Sequence, residues 1–177
     1  MEHKFWDQRY TENKWLYGTE PNRFFKAFID SYKPGRILLP AEGEGRNATY
    51  AASKGWQVDA FDFSSVAKQK ALKRAEEKGV RINYLIQDIE DFSVDRVYDA
   101  VGLLYVHLPQ KIRQAFHQKY INLLSLVGTW FLKHLPGNKF TIFPVDRKMP
   151  LYCTMPQVFA AIFLFCTCYS VDKRKWS

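Results

Sequence analysis

Apolar side chains recur along the first two thirds of the chain with two alternating periods. Phe24, Phe25, Phe28 and Ile29 follow one another at i, i+1, i+4 and i+5, the spacing of one helical face. Pro34-Gly35 closes that helix, and Pro21 occupies its first turn, where a residue without an N–H is tolerated. Arg36 to Pro40 is a short apolar run, Gln57 to Asp62 alternates as a strand does, and Ile82 to Ile86 gives a third strand. Tyr98 to Tyr105 is apolar almost throughout, as a strand covered on both faces should be. Between them, Ala48 to Lys54 and Val66 to Lys78 read as helices closed by Gly55 and Gly79, the second capped by Ser64 or Ser65. Pro109 opens a further helix that turns Ile112, Phe116 and Leu123 or Leu124 inward. At the start, Phe5-Trp6-Asp7-Gln8-Arg9-Tyr10 carries aromatics at i, i+1 and i+5, a short helix lying on a surface, with a turn at Tyr17-Gly18 after it. Strand and helix alternate with short connections, which predicts a doubly wound α/β sheet.

Two features of this pattern carry chemistry. Gly43-Glu44-Gly45 lies between the first strand and a helix. A turn without side chains lets a ligand approach the backbone, and the helix N-terminus offers free N–H groups and the positive end of its dipole. Asp62 ends the next strand, nineteen residues after Gly43. An ionised carboxylate there accepts two ribose hydroxyls at once; capping of the following helix is the alternative role for the same residue. The glycines and Asp62 also fit the dinucleotide fingerprint, so an NAD-type oxidoreductase stays open on these residues alone.

The motifs around this loop resemble those of class I S-adenosylmethionine-dependent methyltransferases, in particular the group with tellurite-resistance and thiopurine-type members. That family begins with FWDxxY and YGxxPN, which stand here as Phe5 to Tyr10 and Tyr17-Gly18-Thr19-Glu20-Pro21-Asn22. A subgroup form of its glycine motif, LLPAEGEGRNA, runs letter for letter from Leu38 to Ala48. The third strand leads into Gln87-Asp88-Ile89, where the family's Asp meets the adenine amino group and the next N–H a ring nitrogen. Tyr98 to Tyr105, with Val106-His107-Leu108-Pro109 behind it, resembles the motif lining the methyl-donor pocket. The resemblance extends from Phe5 to about Leu124 and implies a Rossmann-like sheet.

It also implies S-adenosylmethionine as cofactor, held by Glu42, Gly43, Gly45, Asn47, Asp62, Phe63, Asp88, Ile89, Leu104 and Tyr17. A methyl group would pass by in-line displacement to a small-molecule or metalloid-anion acceptor, with no metal. His107 and Tyr105 are the candidate bases if the nucleophile arrives protonated, although a His before Leu-Pro serves equally as a packing residue. Trp6, Tyr10 and Tyr17 either close over the donor or pack an amphipathic helix. Leu39 stands where the wider class has an acid for the donor's amino group, and Ala41 where it has a glycine. The acid's role then falls to Glu42, to backbone carbonyls or to the N-terminal segment. Glu44 reads as a solvated loop charge. A degenerate relative that binds cofactor without turnover is a third alternative.

Composition narrows the setting. A chain of 177 residues, 47% apolar and 25% charged, suits one globular domain. The N-terminus lacks an apolar stretch of the signal-peptide kind, and the longest apolar run, Val158 to Cys166, is about half of the ~20 residues that span a bilayer. These point to a cytoplasmic chain without a membrane partner. Three cysteines have no metal-ligand spacing. The net charge of +8 would raise nucleic acid as a partner. Residues 1–132, however, carry 19 basic and 16 acidic side chains, so the excess sits in the tail and nucleic acid is disfavoured. The oligomeric state does not follow from the sequence.

Past Leu124 the family pattern stops. Members continue LLKPGG, then a strand ending near FEAF, then a GGP loop, whereas this chain reads Leu124-Ser125-Leu126-Val127-Gly128-Thr129-Trp130-Phe131. Restoring one base beside the Ser125 codon lets the segment back-translate as LKPGGNLVFEAF, and Phe143 to Met149 as PGGPEN. The expectation is a single domain: an N-terminal helical cap over 1–34, a cofactor-binding core over 35–124 and a frameshifted tail over 125–177. The sheet would then lack its last strands in the frame given.

Overall fold

The computed structural model describes residues 2–106, 116, 119–120, 122–133 and 141–146, those at 2–3, 125–133 and 141–146 by backbone alone. Among the described residues these elements follow in order: α1 (Glu2–Glu12), α2 (Arg23–Ser31), β1 (Arg36–Pro40), α3 (Arg46–Ser53), β2 (Gln57–Asp62), α4 (Ser65–Glu77), β3 (Asn83–Ile86), β4 (Tyr98–Leu104), β5 (Leu124–Lys133) and β6 (Thr141–Asp146). The described strands form one sheet in the order β3-β2-β1-β4-β5-β6. All neighbours are parallel except β6, which runs antiparallel to β5. This is the doubly wound α/β architecture that the alternation of periods predicts.

Alternation along the strands supplies a core on each face. Ile37 and Leu39 of β1, Val58 and Ala60 of β2 and Ala100 and Leu104 of β4 pack with Phe25, Phe28, Ala48, Ala51 and Ala71 of α2, α3 and α4. Leu38, Phe61, Val101 and Leu103 turn the other way and meet Phe92, Phe116 and Tyr120. Burying one such Leu or Phe side chain is worth roughly 1.5–3 kcal/mol, so the central strands anchor the fold. Gly45 lets α3 and α4 close on each other: it has φ +76°, and a Cβ there would lie 2.6 Å from Ala71 Cβ.

Three expectations need correction. Asn22, not Pro21, starts α2: its side chain accepts from the Phe24 and Phe25 N–H groups, which leaves Pro21 just outside the helix. A short polar side chain with extended backbone satisfies orphan N–H groups that proline cannot reach. Leu124 is the first residue of β5 rather than part of a helix; Asn122-Leu123 form a turn, and Tyr98 N donates to Leu123 O. The sheet also does carry strands beyond the break in pattern, because 124–133 pairs in parallel with β4 and 141–146 pairs with β5. The run Leu126 to Leu132 is apolar and β-prone in its own right. An open β4 edge also favours any such run as a partner. The β4–β5 register is irregular at that place, since Tyr98 faces Leu124 while Ala100 already faces Thr129.

Candidate functional site

The C-terminal ends of β1, β2 and β4 meet the loops where ligands bind in open α/β sheets. β1 runs into Ala41, which takes a left-handed backbone with φ 50°, a conformation that costs a non-glycine residue about 1–2 kcal/mol. This is the position where the sequence resemblance has glycine. Gly43 (φ +65°) and Gly45 (φ +76°) continue the turn into α3.

Asp62 stitches this turn to β2. Its Oδ2 accepts from Gly43 N at 3.1 Å and its Oδ1 from Ser64 N at 2.9 Å. The cap of α4 is Ser64, whose hydroxyl accepts from Ala67 N, so Asp62 is not the cap. Tyr84 of β3 donates its hydroxyl to Gly43 O at 2.6 Å. Burial, and next the Asp62 charge, push the Tyr84 phenol well above its usual range. The turn is thereby held rigid from below.

Glu42 is 9% exposed and faces α3. Its Oε1 accepts from Asn47 N and Ala48 N, both at 2.8 Å, and its Oε2 from Asn47 Nδ2 at 3.3 Å. Desolvation raises its pKa to about 7 against these hydrogen bonds, which pull the other way. The carboxylate therefore occupies the anion position at the helix N-terminus. Asn47 passes the contact on: its Oδ1 accepts from Asn22 N at 2.8 Å, and Asn22 Nδ2 donates to the Tyr105 hydroxyl oxygen at 3.3 Å.

Glu44, expected to be solvated, is 4% exposed and paired. Lys70 of α4 lies 2.8 Å from its Oε1, and Leu16 N donates to its Oε2 at 2.8 Å. Neutralisation by Lys70 and the Leu16 N–H make its burial affordable. The same Lys70 ammonium donates to the carbonyls of Tyr10, Asn13 and Lys14, satisfying the open end of α1. Arg74 stacks its guanidinium 3.9 Å over Trp15 and donates to Thr19 O and Gly18 O. Ser64 Oγ donates to Asp7 Oδ1. These ties lay α1 over the turn, where a Cβ at Gly43 would lie 2.8 Å from the Tyr10 hydroxyl. Burial, with Asp62 next, pushes the Tyr10 phenol up.

Of the residues singled out by sequence, Glu42, Gly43, Gly45, Asn47 and Asp62 are brought together directly, and Tyr105 joins through Asn22. Leu104 is buried at the end of β4, and Tyr105 just beyond it has φ 59°, a strained conformation for an aromatic residue. Asp88 closes a turn by accepting from Glu90 N at 3.1 Å, and Ile89 O accepts from the Tyr120 hydroxyl at 3.0 Å. They follow β3, whose last residue, Ile86, pairs with Asp62. Phe63 is half-buried between Asp62 and Ser64. Tyr17 is 49% exposed, with Arg46 over its ring and donating to its carbonyl. His107 lies outside the described residues. Leu39 is fully buried in the apolar core. Tyr84, Lys70 and Arg74 escaped the sequence reading; a tyrosine two residues before the end of a strand beside the turn was the available signal for the first. Among the described residues no helix is long and apolar enough to cross a membrane.

Residues 37–128, more than half of the chain, match a family described as a methyltransferase domain. A ubiquinone biosynthesis O-methyltransferase of Rickettsia felis is 39% identical over 117 residues, 66% of this chain and 43% of its own length. A thiopurine S-methyltransferase of Acinetobacter baylyi is 22% identical over 76% of the chain and 73% of its own length. The chain spans less than half the length of the Rickettsia relatives it matches. Among solved structures, the N-methyltransferase NodS of Bradyrhizobium japonicum, crystallised with S-adenosyl-L-homocysteine, superposes with a TM-score of 0.61 at 15% identity, over 73% of this chain and 71% of its own.

Proposed function

The chain belongs to the methyltransferase-domain family, and from that premise we propose that it transfers a methyl group from S-adenosylmethionine to a small-molecule or metalloid-anion acceptor in the cytoplasm. The observation that carries this reading is the Glu42 carboxylate on the N–H groups of Asn47 and Ala48. A dinucleotide places its pyrophosphate at such a helix N-terminus. Here a buried carboxyl group already accepts from these N–H groups and leaves them unavailable to a phosphate. An adenosyl sulfonium carries no phosphate and needs only the rest of the site: the side-chain-free turn and the acid at the end of β2. Gly43 lies under the Tyr10 hydroxyl and beside the Asp62 carboxylate, where a Cβ would come within 2.8 Å of that hydroxyl, so the turn accepts no side chain there.

In this reading Asp62 receives ribose hydroxyls, Asp88 and Ile89 meet the adenine, and Gly43, Gly45 and Asn47 shape the turn under the donor's tail. Leu104, Phe63 and Tyr17 line its flanks. S-adenosylmethionine supplies a methyl group already activated on sulfur. The protein's share is alignment, for which effective molarities reach roughly 10⁵–10⁸ M. Tyr105 at the end of β4 and His107 after it are the groups positioned to take a proton from the acceptor. α1, held down by Lys70 and Asp7, excludes water from the turn.

Titration calorimetry tests the reading. S-adenosyl-L-homocysteine should bind and NAD should not; NAD binding with no heat from S-adenosyl-L-homocysteine would overturn it. A screen of thiols, metalloid oxyanions and small metabolites with labelled donor would then identify the acceptor. The absence of any labelled product would leave the cofactor-binding, non-catalytic alternative.

The division into cap (1–34), core (35–124) and tail (125–177) belongs to the same proposal, as does a shift of frame at Ser125. The register slip between Tyr98–Ala100 and Leu124–Thr129 supports it, because the extra residues of β5 fall where the other frame has KPGG, a turn sequence. Sequencing the codons across Ser125 decides the matter; an unbroken frame shared by the tails of close relatives would exclude it.

A further inference from the structure

The Pro21-Asn22 motif has no place in the donor contacts above, yet Asn22 is 6% exposed and bonded through both its backbone and its side chain. Its Oδ1 caps α2, its N–H donates to Asn47 Oδ1 at 2.8 Å, and its Nδ2 donates to the Tyr105 hydroxyl at 3.3 Å. Asn47 in turn donates from both nitrogens to Glu42. A continuous chain of hydrogen bonds, buried as far as Asn22 and part-buried at its last link, therefore runs from Glu42 in the glycine turn, through Asn47 and Asn22, to Tyr105 just after β4. It links the glycine turn after β1 to the residue just beyond the end of β4.

We propose that Asn22 is a positioning residue for methyl transfer, fixing the Tyr105 hydroxyl to the glycine turn so that the donor and acceptor sides of the cleft hold one geometry. The proposal rests on the methyl-transfer reading for its purpose. Three points carry it. Tyr105 sits in a left-handed conformation that persists only where the surroundings over-determine it, and Asn22 reaches its side chain from another element. A helix cap needs only an acceptor, so serine, threonine or aspartate would suffice at 22 for α2 alone. What asparagine adds is a donor, and that donor is spent on Tyr105. In-line displacement is sensitive to small misplacements, so a tie between the two sides has a direct kinetic use.

The test uses full-length protein labelled with [ζ-13C]tyrosine, the Tyr105 resonance being assigned by its loss in Tyr105→Phe. Asn22→Ser and Asn22→Thr both keep the cap of α2, and both are too short to reach the Tyr105 hydroxyl. Glu42→Gln should shift the Tyr105 resonance in the wild-type background, and that shift should fall at least threefold in both Asn22 backgrounds. Affinity for S-adenosyl-L-homocysteine should stay within about twofold, as for a residue that does not touch the donor. An equal response of Tyr105 to Glu42→Gln in all three backgrounds would mean that the turn acts through space, and would overturn the proposal. A tenfold loss of affinity in both Asn22 variants would overturn it too, by making Asn22 part of the donor site. If the unmodified chain binds no S-adenosyl-L-homocysteine, the methyl-transfer reading fails and the assigned purpose with it, even where the resonance responds through Asn22.

Discussion

Glu42→Gln should reverse its effect on stability with pH. Glu42 is buried, and desolvation raises its pKa from the ordinary 4.5 to about 7. The folded chain therefore binds a proton that the unfolded chain has released between those values, so stability falls as pH rises through this window. The penalty is absent below about pH 4.5, and above about pH 7 it reaches roughly 3 kcal/mol, at about 1.4 kcal/mol for each pH unit of displacement. Integrated between about pH 5 and pH 8, the loss is roughly 2.5 kcal/mol. Glutamine keeps an oxygen for the Asn47 and Ala48 N–H groups but turns a donor toward Asn47 Nδ2, which costs about 1 kcal/mol at every pH. The variant should thus be about as stable as the wild type, or slightly less so, near pH 5. Near pH 8 it should be more stable by roughly 2 kcal/mol. Urea unfolding followed by tryptophan fluorescence, run on both proteins at four pH values between these limits, measures the difference directly. A constant difference across the range would refute the argument, and so would a difference that grows toward acid.

Other substitutions probe the remaining contacts. Gly45→Ala places a methyl group 2.6 Å from Ala71 Cβ and 2.9 Å from its Cα at φ +76°, and strain plus overpacking should cost about 2–5 kcal/mol in urea unfolding. Leu39→Asp, which restores the acid of the wider class, puts a carboxyl into the apolar core and should lower stability by several kcal/mol, about 3 or more, without improving donor binding by calorimetry. Lys70→Met removes the partner of the buried Glu44 and the cap of α1. A loss of about 3 kcal/mol, with faster amide exchange confined first to α1 and residues 13–16, is the expected result. Uniform exchange across the chain would show that α1 is not an independent cover.

The fold was legible because it rests on periodicity, which a single sequence displays. The strand at Gln57 begins where an alternating run begins and that at Tyr98 where a continuous apolar run begins, and Ser64 stands just ahead of a helical run as a possible cap. Contacts made by long polar side chains across distant elements leave no such trace. Glu44 looked like a loop charge because its partner, Lys70, lies on a later helix among other lysines, and only the packing of α1 selects that one. Asn22 stands in the sequence only as the last residue of the Tyr17 to Asn22 motif, since its three bonding directions become visible only when α2, α3 and β4 are brought together. The direction of Glu42 was likewise hidden. Its position in the glycine turn was readable, but its choice of the α3 N-terminus depends on backbone dihedrals, including the strained Ala41 before it.

That last point bears on what the turn selects. The sequence pattern of glycines and Asp62 admits two cofactor classes because both use the same backbone approach and the same ribose acid. The classes differ in charge at the helix N-terminus, where one brings a pyrophosphate and the other brings none. A protein that fills this position with its own carboxylate commits its strongest anion-binding feature to itself, and a pKa near 7 shows that burial makes the commitment costly. The cost is intelligible if the carboxylate does two things there: it keeps phosphates out, and it anchors the chain through Asn47 and Asn22 that holds Tyr105. Both effects depend on the same two N–H groups. Removing the acid should therefore loosen Tyr105 beyond the end of β4 and at the same time lower the barrier to anionic nucleotides.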